Sequence, residues 1–182
     1  DSFVENYVFY RTNTTSFVCQ GSKATDWVET GEGLACLDEQ TAYIRLTQFN
    51  GNAATEFARA MGQFRTDRKQ NLVLDLRDNG GGFMNILQDI ASYFCKGEKG
   101  KCVIATAEYR NGKQEKFYSE KSRYEEYFTE TSKIKVLAND GTASASECLI
   151  GCMLDYGAIS YADICLTENF GIAKTFGKGI MQ

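Results

Sequence analysis

Residues 133–147 constrain the fold of this 182-residue chain more than any other stretch. The run from Ile134 to Ala138 is rich in apolar and β-forming residues and predicts a short strand. It ends at residues 139–141, Asn-Asp-Gly, which favour a tight turn. The apolar residues that follow have the spacing of one helix face: Leu149, Ile150, Met153 and Leu154. We therefore expect a strand that passes through a tight turn into a helix.

Such a helix start is a suitable place for a nucleophile. The free N–H groups and the dipole at a helix N-terminus favour negative charge. A hydroxyl held there can attack a carbonyl, because the resulting oxyanion meets waiting donors. Ser144 is the candidate nucleophile on this ground. The alternative is that the small polar residues around it only cap the helix, as Ser and Thr often do.

Strand and helix patterns alternate along the rest of the chain. Strand-like runs occupy 41–49, 71–76, 102–109 and 113–118, the last two joined by a hairpin turn, and 159–166 is a further candidate strand. Helical stripes lie between Phe57 and Phe64 and between Ile86 and Phe94. This order predicts one α/β domain with a largely parallel central sheet flanked by helices.

Two further segments show no such alternation. Residues 1–40 are expected to form an irregular lead-in with a short hairpin near 31–33. Residues 121–130 are expected to form a charged, solvated face.

The charge and the residue types argue against several classes of protein. A formal net charge of -4, with no basic stripe, argues against a nucleic-acid surface. No apolar run approaches membrane-spanning length, so no membrane span is expected. The chain has no His, which removes the commonest general base and the commonest zinc ligand. Any serine hydrolase chemistry here must therefore take its base from another residue type.

The seven cysteines lack Cys-x-x-Cys spacing, so a zinc ribbon or a thioredoxin-like motif is not expected. Cys95 and Cys102 flank a short loop and can close a disulfide if the protein is exported. Cys148 and Cys152 lie four residues apart on the predicted helix. We interpret this second pair as small buried residues rather than as a metal or redox pair.

Three glycine-rich turns follow predicted strands, at 78–82, 139–141 and 176–179. In open α/β sheets, binding sites gather at the carboxyl ends of strands. A plain tight turn before a helix is the alternative interpretation of 78–82. Lys178, between two glycines, can take a proton from a serine hydroxyl when it is neutral, as in the Ser–Lys variant of the catalytic triad. The alternatives are a surface lysine and a phosphate-binding loop, although 171–179 departs from the P-loop spacing and has no Ser or Thr after the lysine.

Three motifs occur in order along the chain: LDLRDNGGG at 74–82, GTASASE at 141–147 and TFGKGIMQ at 175–182. With these motifs, the sequence from about Thr41 to Gln182 resembles the carboxyl-terminal processing (tail-specific) serine proteases. The resemblance implies a ClpP/crotonase-like α/β spiral, and it implies no cofactor and no metal. It also implies a set of site residues: Ser144 rather than Ser146 as nucleophile, Lys178 as general base, Gln182 as the group that orients Lys178, and the backbone N–H groups of Gly82 and Ala145 as the oxyanion hole.

The activity that this resemblance implies is endoproteolysis near the carboxyl terminus of protein or peptide substrates. Family members usually act outside the cytoplasm, so an exported protein of the cell envelope, periplasm or extracellular space is expected. Three features depart from the family pattern. Residues 1–40 are too few for the PDZ-type module that most members carry, and the span from Asp155 to Lys178 is longer than in the family. Members also usually continue beyond the position of Gln182. We therefore expect 41–182 to be a catalytic core truncated at its carboxyl end. The alternatives are a non-catalytic peptide- or lipid-binding module on the same fold and a phosphate or nucleotide binder that uses Lys178.

Overall fold

The computed structural model describes residues 40–166, together with the backbone of five short strands at 9–11, 15–18, 26–30, 33–37 and 180–181. In chain order the strands are β1 (Phe9–Arg11), β2 (Thr15–Val18), β3 (Asp26–Thr30), β4 (Gly33–Leu37), β5 (Thr41–Leu46), β6 (Asn71–Asp75), β7 (Lys101–Glu108), β8 (Gln114–Lys121), β9 (Ile134–Ala138), β10 (Ile164–Leu166) and β11 (Ile180–Met181). The helices are α1 (Ala53–Thr66), α2 (Met84–Ala91), α3 (Tyr124–Tyr127) and α4 (Ala145–Asp155), and a 3₁₀ helix spans Tyr161–Asp163.

The central sheet contains six strands in the order β1-β2-β5-β6-β9-β10. The four strands β5, β6, β9 and β10 are parallel, and β1 and β2 extend the sheet in antiparallel orientation. The short apolar runs read from the sequence form β5, β6 and β9, since a strand covered on both faces is apolar along its whole length. The predicted α/β class with a largely parallel sheet is confirmed.

The segment before residue 41 holds more regular structure than the sequence indicated. The antiparallel pair β3 and β4 closes between Thr30 and Gly33, where the hairpin was predicted. The strands β1 and β2 were not predicted, because the polar Thr, Ser and Asn residues around them obscure a period of two. Their pairing with β5 makes them part of the central sheet.

The helices bury the apolar stripes that predicted them. The buried residues of α1 include Phe57, Met61 and Phe64, and α4 buries Leu149, Ile150 and Met153. On α2 the predicted stripe is buried at Ile86, Leu87 and Ile90. These side chains join those of the central strands in one hydrophobic core. The predicted helical stripes are confirmed, except that α2 ends at Ala91 and the buried Tyr93 and Phe94 lie in the turn after it.

The segment 121–130 is a solvated face at most of its charged residues, as predicted, but two of its aromatic residues belong to the core. Tyr124 and Phe128 lie one helical turn apart and are both buried. The Phe128 ring lies 5.4 Å from the ring of Phe64 and 6.2 Å from that of Phe94, measured between centroids. The charges of the segment face outward, so they concealed an aromatic pair that closes the core.

A second sheet, in the order β11-β7-β8, packs against α4. The predicted hairpin of β7 and β8 is confirmed, and β11 pairs in parallel with β7 opposite Thr106 and Ala107. The candidate strand at 159–166 is shorter than expected, because the 3₁₀ helix occupies its first half. Among the residues described, no helix is long and apolar enough to cross a membrane.

Cys95 and Cys102 form a disulfide, as the loop between them suggested. Cys152 is buried and Cys148 is half-buried, and both are free thiols. Burial in an apolar setting raises the pKa of Cys148 to about 11. Cys152 is a buried side chain, as predicted, whereas Cys148 is only partly buried.

Candidate active site

Parallel strands bring three turns to one edge of the central sheet. Since β5, β6 and β9 run in the same direction, the segments that follow them lie at the same end of the sheet. Two of these segments are the glycine-rich turns 78–82 and 139–141. The third contains Phe49, which forms a parallel bridge with Gly82. The carboxyl edge of an α/β sheet is where such folds carry their sites.

Ser144 lies at the N-cap of α4 in a backbone conformation that serine seldom adopts. Its φ angle is 56°, in the left-handed region, which is uncommon for any residue other than glycine. Its backbone N–H donates to Oε2 of Glu147 at 2.7 Å, and this bond fixes the entry into the helix. The residue is exposed. Ser144 therefore occupies the cap position and can also be reached from solvent.

The neighbouring Ser146 is in the opposite situation. It is fully buried, and its Oγ donates to the backbone carbonyl of Asn79 at 2.9 Å. A substrate cannot approach this hydroxyl. Of the two serines in the Ser-Ala-Ser motif, only Ser144 is accessible.

Gly81 and Gly82 hold the first glycine turn directly against the start of α4. Their φ angles are 97° and 146°, which residues with a side chain rarely adopt. A β-carbon at Gly81 would lie 2.7 Å from both the backbone N of Ala145 and the β-carbon of Ser144. One at Gly82 would collide with the carbonyl oxygen of Phe49. Close backbone approach therefore requires glycine at both positions.

Two backbone N–H groups at this contact have no acceptor in the part of the chain that the structure describes. They belong to Gly82 and Ala145. The bridge between Phe49 and Gly82 uses other groups, since Phe49 N–H donates to Gly81 O at 2.9 Å and Phe83 N–H donates to Phe49 O at 2.7 Å. Ala145 is the first residue of α4, where helical N–H groups lack an intrahelical partner.

Asn79 joins the two turns, and the sequence did not predict this role. Its side chain is buried; Nδ2 donates to Leu46 O at 2.8 Å and Oδ1 accepts from Gly81 N–H at 2.9 Å. Its backbone carbonyl accepts from Ala143 N–H at 3.0 Å and from the hydroxyl of Ser146. Asn79 therefore contacts residues on both sides of Ser144. The sequence feature that could have indicated this role is an asparagine placed between a predicted buried strand and three glycines.

Asn139 and Thr142 make a second connection between the turns. The side-chain Oδ1 of Asn139 accepts from Asp78 N–H at 2.9 Å, and its Nδ2 donates to Asp78 Oδ1 at 2.8 Å. The hydroxyl of Thr142 donates to Leu76 O at 2.8 Å. The two turns that flank Ser144 are thus connected by side chains as well as by packing.

A buried ion pair lies beneath the first turn. The carboxylate of Asp75 is fully buried and accepts from Tyr43 Oη at 2.5 Å and from Arg77 Nε at 2.9 Å. Burial, followed by the charge of Asp75, raises the pKa of Tyr43 well above its ordinary value. The hydrogen bond with Asp75 likewise raises the pKa of Arg77. The carboxylate is therefore paired and hydrogen-bonded, as a buried charge must be.

Lys178 and Gln182 lie outside the residues that the structure describes. The strand β11 begins two residues after Lys178, and it adds to the sheet that packs against α4. Ser144, Gly82 and Ala145 are the predicted site residues that the structure does describe. Ser144 and Ala145 lie against Gly81, the residue before Gly82, where the first glycine-rich turn meets the start of α4.

Residues 40–182 match the model of peptidase family S41. This chain belongs to that family. The resemblance to carboxyl-terminal processing proteases, read from the three motifs, is thereby confirmed.

Two curated relatives and one solved structure agree with this family. A carboxyl-terminal-processing protease of Synechocystis sp. is 35% identical over 144 residues, covering 79% of this chain and 30% of the relative. A carboxy-terminal processing protease of Bacillus subtilis, CtpB, is 30% identical over 129 residues, covering 71% of this chain and 25% of the relative. The photosystem II D1 C-terminal processing protease superposes with a TM-score of 0.58 at 25% identity, covering 86% of this chain and 36% of that one. The S41 chain thus spans about a third or less of each.

Proposed function

We propose that this S41 chain carries the catalytic core of a serine endopeptidase, with Ser144 as its nucleophile. The observation that supports the proposal is the exposed Ser144, held at a strained helix start beside two N–H groups without acceptors among the described residues. Strained, accessible residues of this kind concentrate at functional sites. A serine that served only as a cap would need neither the left-handed conformation nor the close glycine turn.

The N–H groups of Gly82 and Ala145 are the proposed oxyanion hole. When the Ser144 hydroxyl oxygen attacks a peptide carbonyl, negative charge develops on the carbonyl oxygen. Two backbone donors that are already oriented stabilise this charge without any rearrangement. The positive end of the α4 dipole adds to the effect at Ala145.

Lys178 is the proposed general base, and Gln182 is proposed to orient it. The chain has no His, so another group must take the Ser144 proton. A neutral lysine takes it as the serine attacks and later gives it to the departing amine, which leaves an acyl-enzyme. Water then attacks the ester, the base takes a proton from that water, and Ser144 regains its own. The position of β11 beside β7, which contacts α4, supports this pairing.

The proposed substrates are proteins or peptides bound through their carboxyl-terminal region. The support is the name carboxyl-terminal-processing protease carried by the curated relatives. We propose residues 41–182 as the catalytic core, and an exported location for the protein. The disulfide between Cys95 and Cys102 fits an oxidising compartment.

The test is proteolysis of unstructured peptides by purified wild-type chain and by Ser144→Ala and Lys178→Ala variants. Each variant is expected to lose activity and to keep its fold, judged by circular dichroism and thermal melting. Because the base must be neutral, kcat/KM is expected to rise with pH in the wild type. Ser146→Ala is the matched control, since it removes a hydroxyl from the same motif at a buried position. Cleavage that persists in Ser144→Ala would contradict the proposal, and so would a folded wild type that binds peptides without cleaving them.

A further inference from the structure

A second cluster of reactive groups lies along α4, away from Ser144. The sulfur atoms of Cys95, Cys102 and Cys152 all lie within 4.8 Å of one another, and the three residues are buried. Cys95 and Cys102 are bonded, whereas Cys152 is a free thiol. Cys152 follows Ser144 by two turns of helix, about 12 Å along its axis. The Cys152 thiol therefore lies close to a disulfide, and the proposed proteolysis uses neither group.

We propose that Cys95, Cys102 and Cys152 form a thiol–disulfide exchange site. The Cys152 thiolate attacks the Cys95 sulfur, a Cys95–Cys152 bond forms and the Cys95–Cys102 bond breaks. Cys102 leaves as a thiolate and takes up a proton equivalent to the one that Cys152 lost. Electrons and atoms balance within the three residues, so neither an oxidant nor a reductant is required.

The environment of the sulfurs favours Cys102 as the leaving group. The hydroxyl oxygen of Ser119 lies 3.1 Å from the Cys102 sulfur and 3.9 Å from the Cys95 sulfur. The backbone N–H of Cys102 also donates to this hydroxyl at 3.0 Å, so the polar group is fixed beside Cys102. The Ser119 hydroxyl donates its proton to the carbonyl of Glu120 at 2.6 Å. Because a hydroxyl rotates about its C–O bond, it can turn this proton to a thiolate that develops at Cys102. Exchange is therefore directed toward a bond between Cys95 and Cys152.

Cys148 provides an internal comparison on the same helix. It lies one turn before Cys152, and its thiol donates to the carbonyl of Ile104 at 3.4 Å. It is not part of the three-sulfur cluster. We expect Cys148 to stay outside the exchange.

The exchange changes which parts of the fold are joined. The bond between Cys95 and Cys102 closes a separation of 7 residues. A bond between Cys95 and Cys152 would connect the chain just after α2 to the body of α4. These two helices begin beside Gly82 and at Ala145, so the new bond would join them far from the proposed oxyanion donors. Only this consequence for the site rests on the proposed function; the exchange itself does not.

The exchange is expected to be slow. Burial, with a contribution from Cys148, raises the pKa of Cys152 to about 12, so little thiolate exists near neutral pH. Disulfide reshuffling takes seconds to hours under ordinary conditions, and this site belongs at the slow end. The two bonded forms can therefore be trapped and counted separately.

Disulfide mapping tests the proposal without any measurement of proteolysis. The oxidised wild-type chain is held for a day, trapped with acid and N-ethylmaleimide, digested without reduction and analysed by mass spectrometry. We expect peptides joined through Cys95–Cys152 beside those joined through Cys95–Cys102. The reduced Cys102→Ser variant, oxidised with diamide while folded, is expected to form the Cys95–Cys152 bond in most molecules.

The matched control is the double variant Cys102→Ser/Cys152→Ser, in which Cys95 should remain a free thiol although Cys148 is present. If folded Cys102→Ser keeps Cys95 and Cys152 as free thiols under diamide, the exchange site is refuted. If Cys102→Ser does not fold, the wild-type map decides, and a map with no peptide linked through Cys152 overturns the proposal. A chain without peptidase activity would refute the proposed function and leave this result standing.

Discussion

The carboxyl edge of the central sheet and an aromatic layer, formed by the rings of Phe64, Phe94 and Phe128, are held together in different ways. At the edge, hydrogen bonds from Asn79 and Asn139 hold two turns whose backbone is strained at Ser144. In the aromatic layer, rings such as Phe64 and Phe128 are buried and in contact, with no polar group required. A site keeps donors and a hydroxyl available, whereas a core leaves nothing unsatisfied. We therefore expect substitutions at the sheet edge to reduce activity and substitutions in the aromatic layer to reduce stability.

Outside the proposed catalytic residues, the largest effect on activity is expected for Gly81→Ala. The new methyl group would meet the backbone N of Ala145 and the β-carbon of Ser144 at 2.7 Å, in a conformation that alanine resists. Since the proposed nucleophile and one donor both move, kcat/KM should fall by about 10³-fold. Peptide cleavage by the folded variant measures this loss.

Gly80→Ala is the matched control one residue away. An added methyl group at Gly80 meets nothing within 4 Å. We expect nearly full activity for Gly80→Ala. Equal losses for the two glycine variants would mean that the turn is merely sensitive to change, and the close contact at Gly81 would lose its significance.

The largest effect on stability is expected for Phe64→Ala in the aromatic layer. Truncation of a fully buried phenylalanine leaves a cavity and typically costs about 3–5 kcal/mol of unfolding free energy. Urea unfolding measures this loss, and kcat per folded molecule should stay unchanged. Phe83→Ala is the control for stability, since that residue is 63% exposed. A stable Phe64→Ala protein with reduced kcat would break the distinction between the two regions.

Asn79→Asp is expected to have an intermediate effect on activity. The carboxylate keeps an acceptor for Gly81 N–H and loses the donor to Leu46 O, so the turn shifts without losing volume. Small misplacements at a reacting centre can cost about 10²-fold in rate. We expect most of the loss in kcat and little in KM, because only the transition state uses the oxyanion donors. A change confined to KM would show that Asn79 affects binding rather than positioning.

The smallest effect is expected for Tyr43→Phe, which removes a hydroxyl from the buried ion pair. Asp75 keeps Arg77 as a partner and loses one hydrogen bond to a charged group, worth about 1.5–3 kcal/mol. Chemical denaturation measures the loss, and activity should be retained. Reduced kcat at unchanged stability would show that the ion pair of Asp75 helps to position the site.

The central fold was predictable because its signals are local. Apolar runs gave β5, β6 and β9, and stripes such as Phe57 to Phe64 gave the helices. Polar neighbours concealed β1 and β2, and outward charges concealed the burial of Phe128. Strand pairing and burial of this kind depend on contacts with residues distant in sequence. A local pattern carries no information about such contacts.

The candidate site was predictable in its residues and not in its connections. The turn before the helix indicated Ser144, and the flanking glycines with the absence of His indicated Lys178. The resemblance added Gly82, Ala145 and Gln182. The role of Asn79 depends on hydrogen bonds to Leu46 and Ala143, which are far from it in sequence. Its amide alone resembles that of any turn residue.

Labelling with an alkyl fluorophosphonate tests the central claim most directly, since the reagent needs an activated serine. The wild-type chain should gain one adduct, mapped by mass spectrometry to the peptide containing Ser144, and Lys178→Ala should label at least 10²-fold more slowly, an order of magnitude typical of general-base catalysis. Ser146→Ala should label like the wild type. An adduct on another serine, or equal labelling with and without Lys178, would contradict the account.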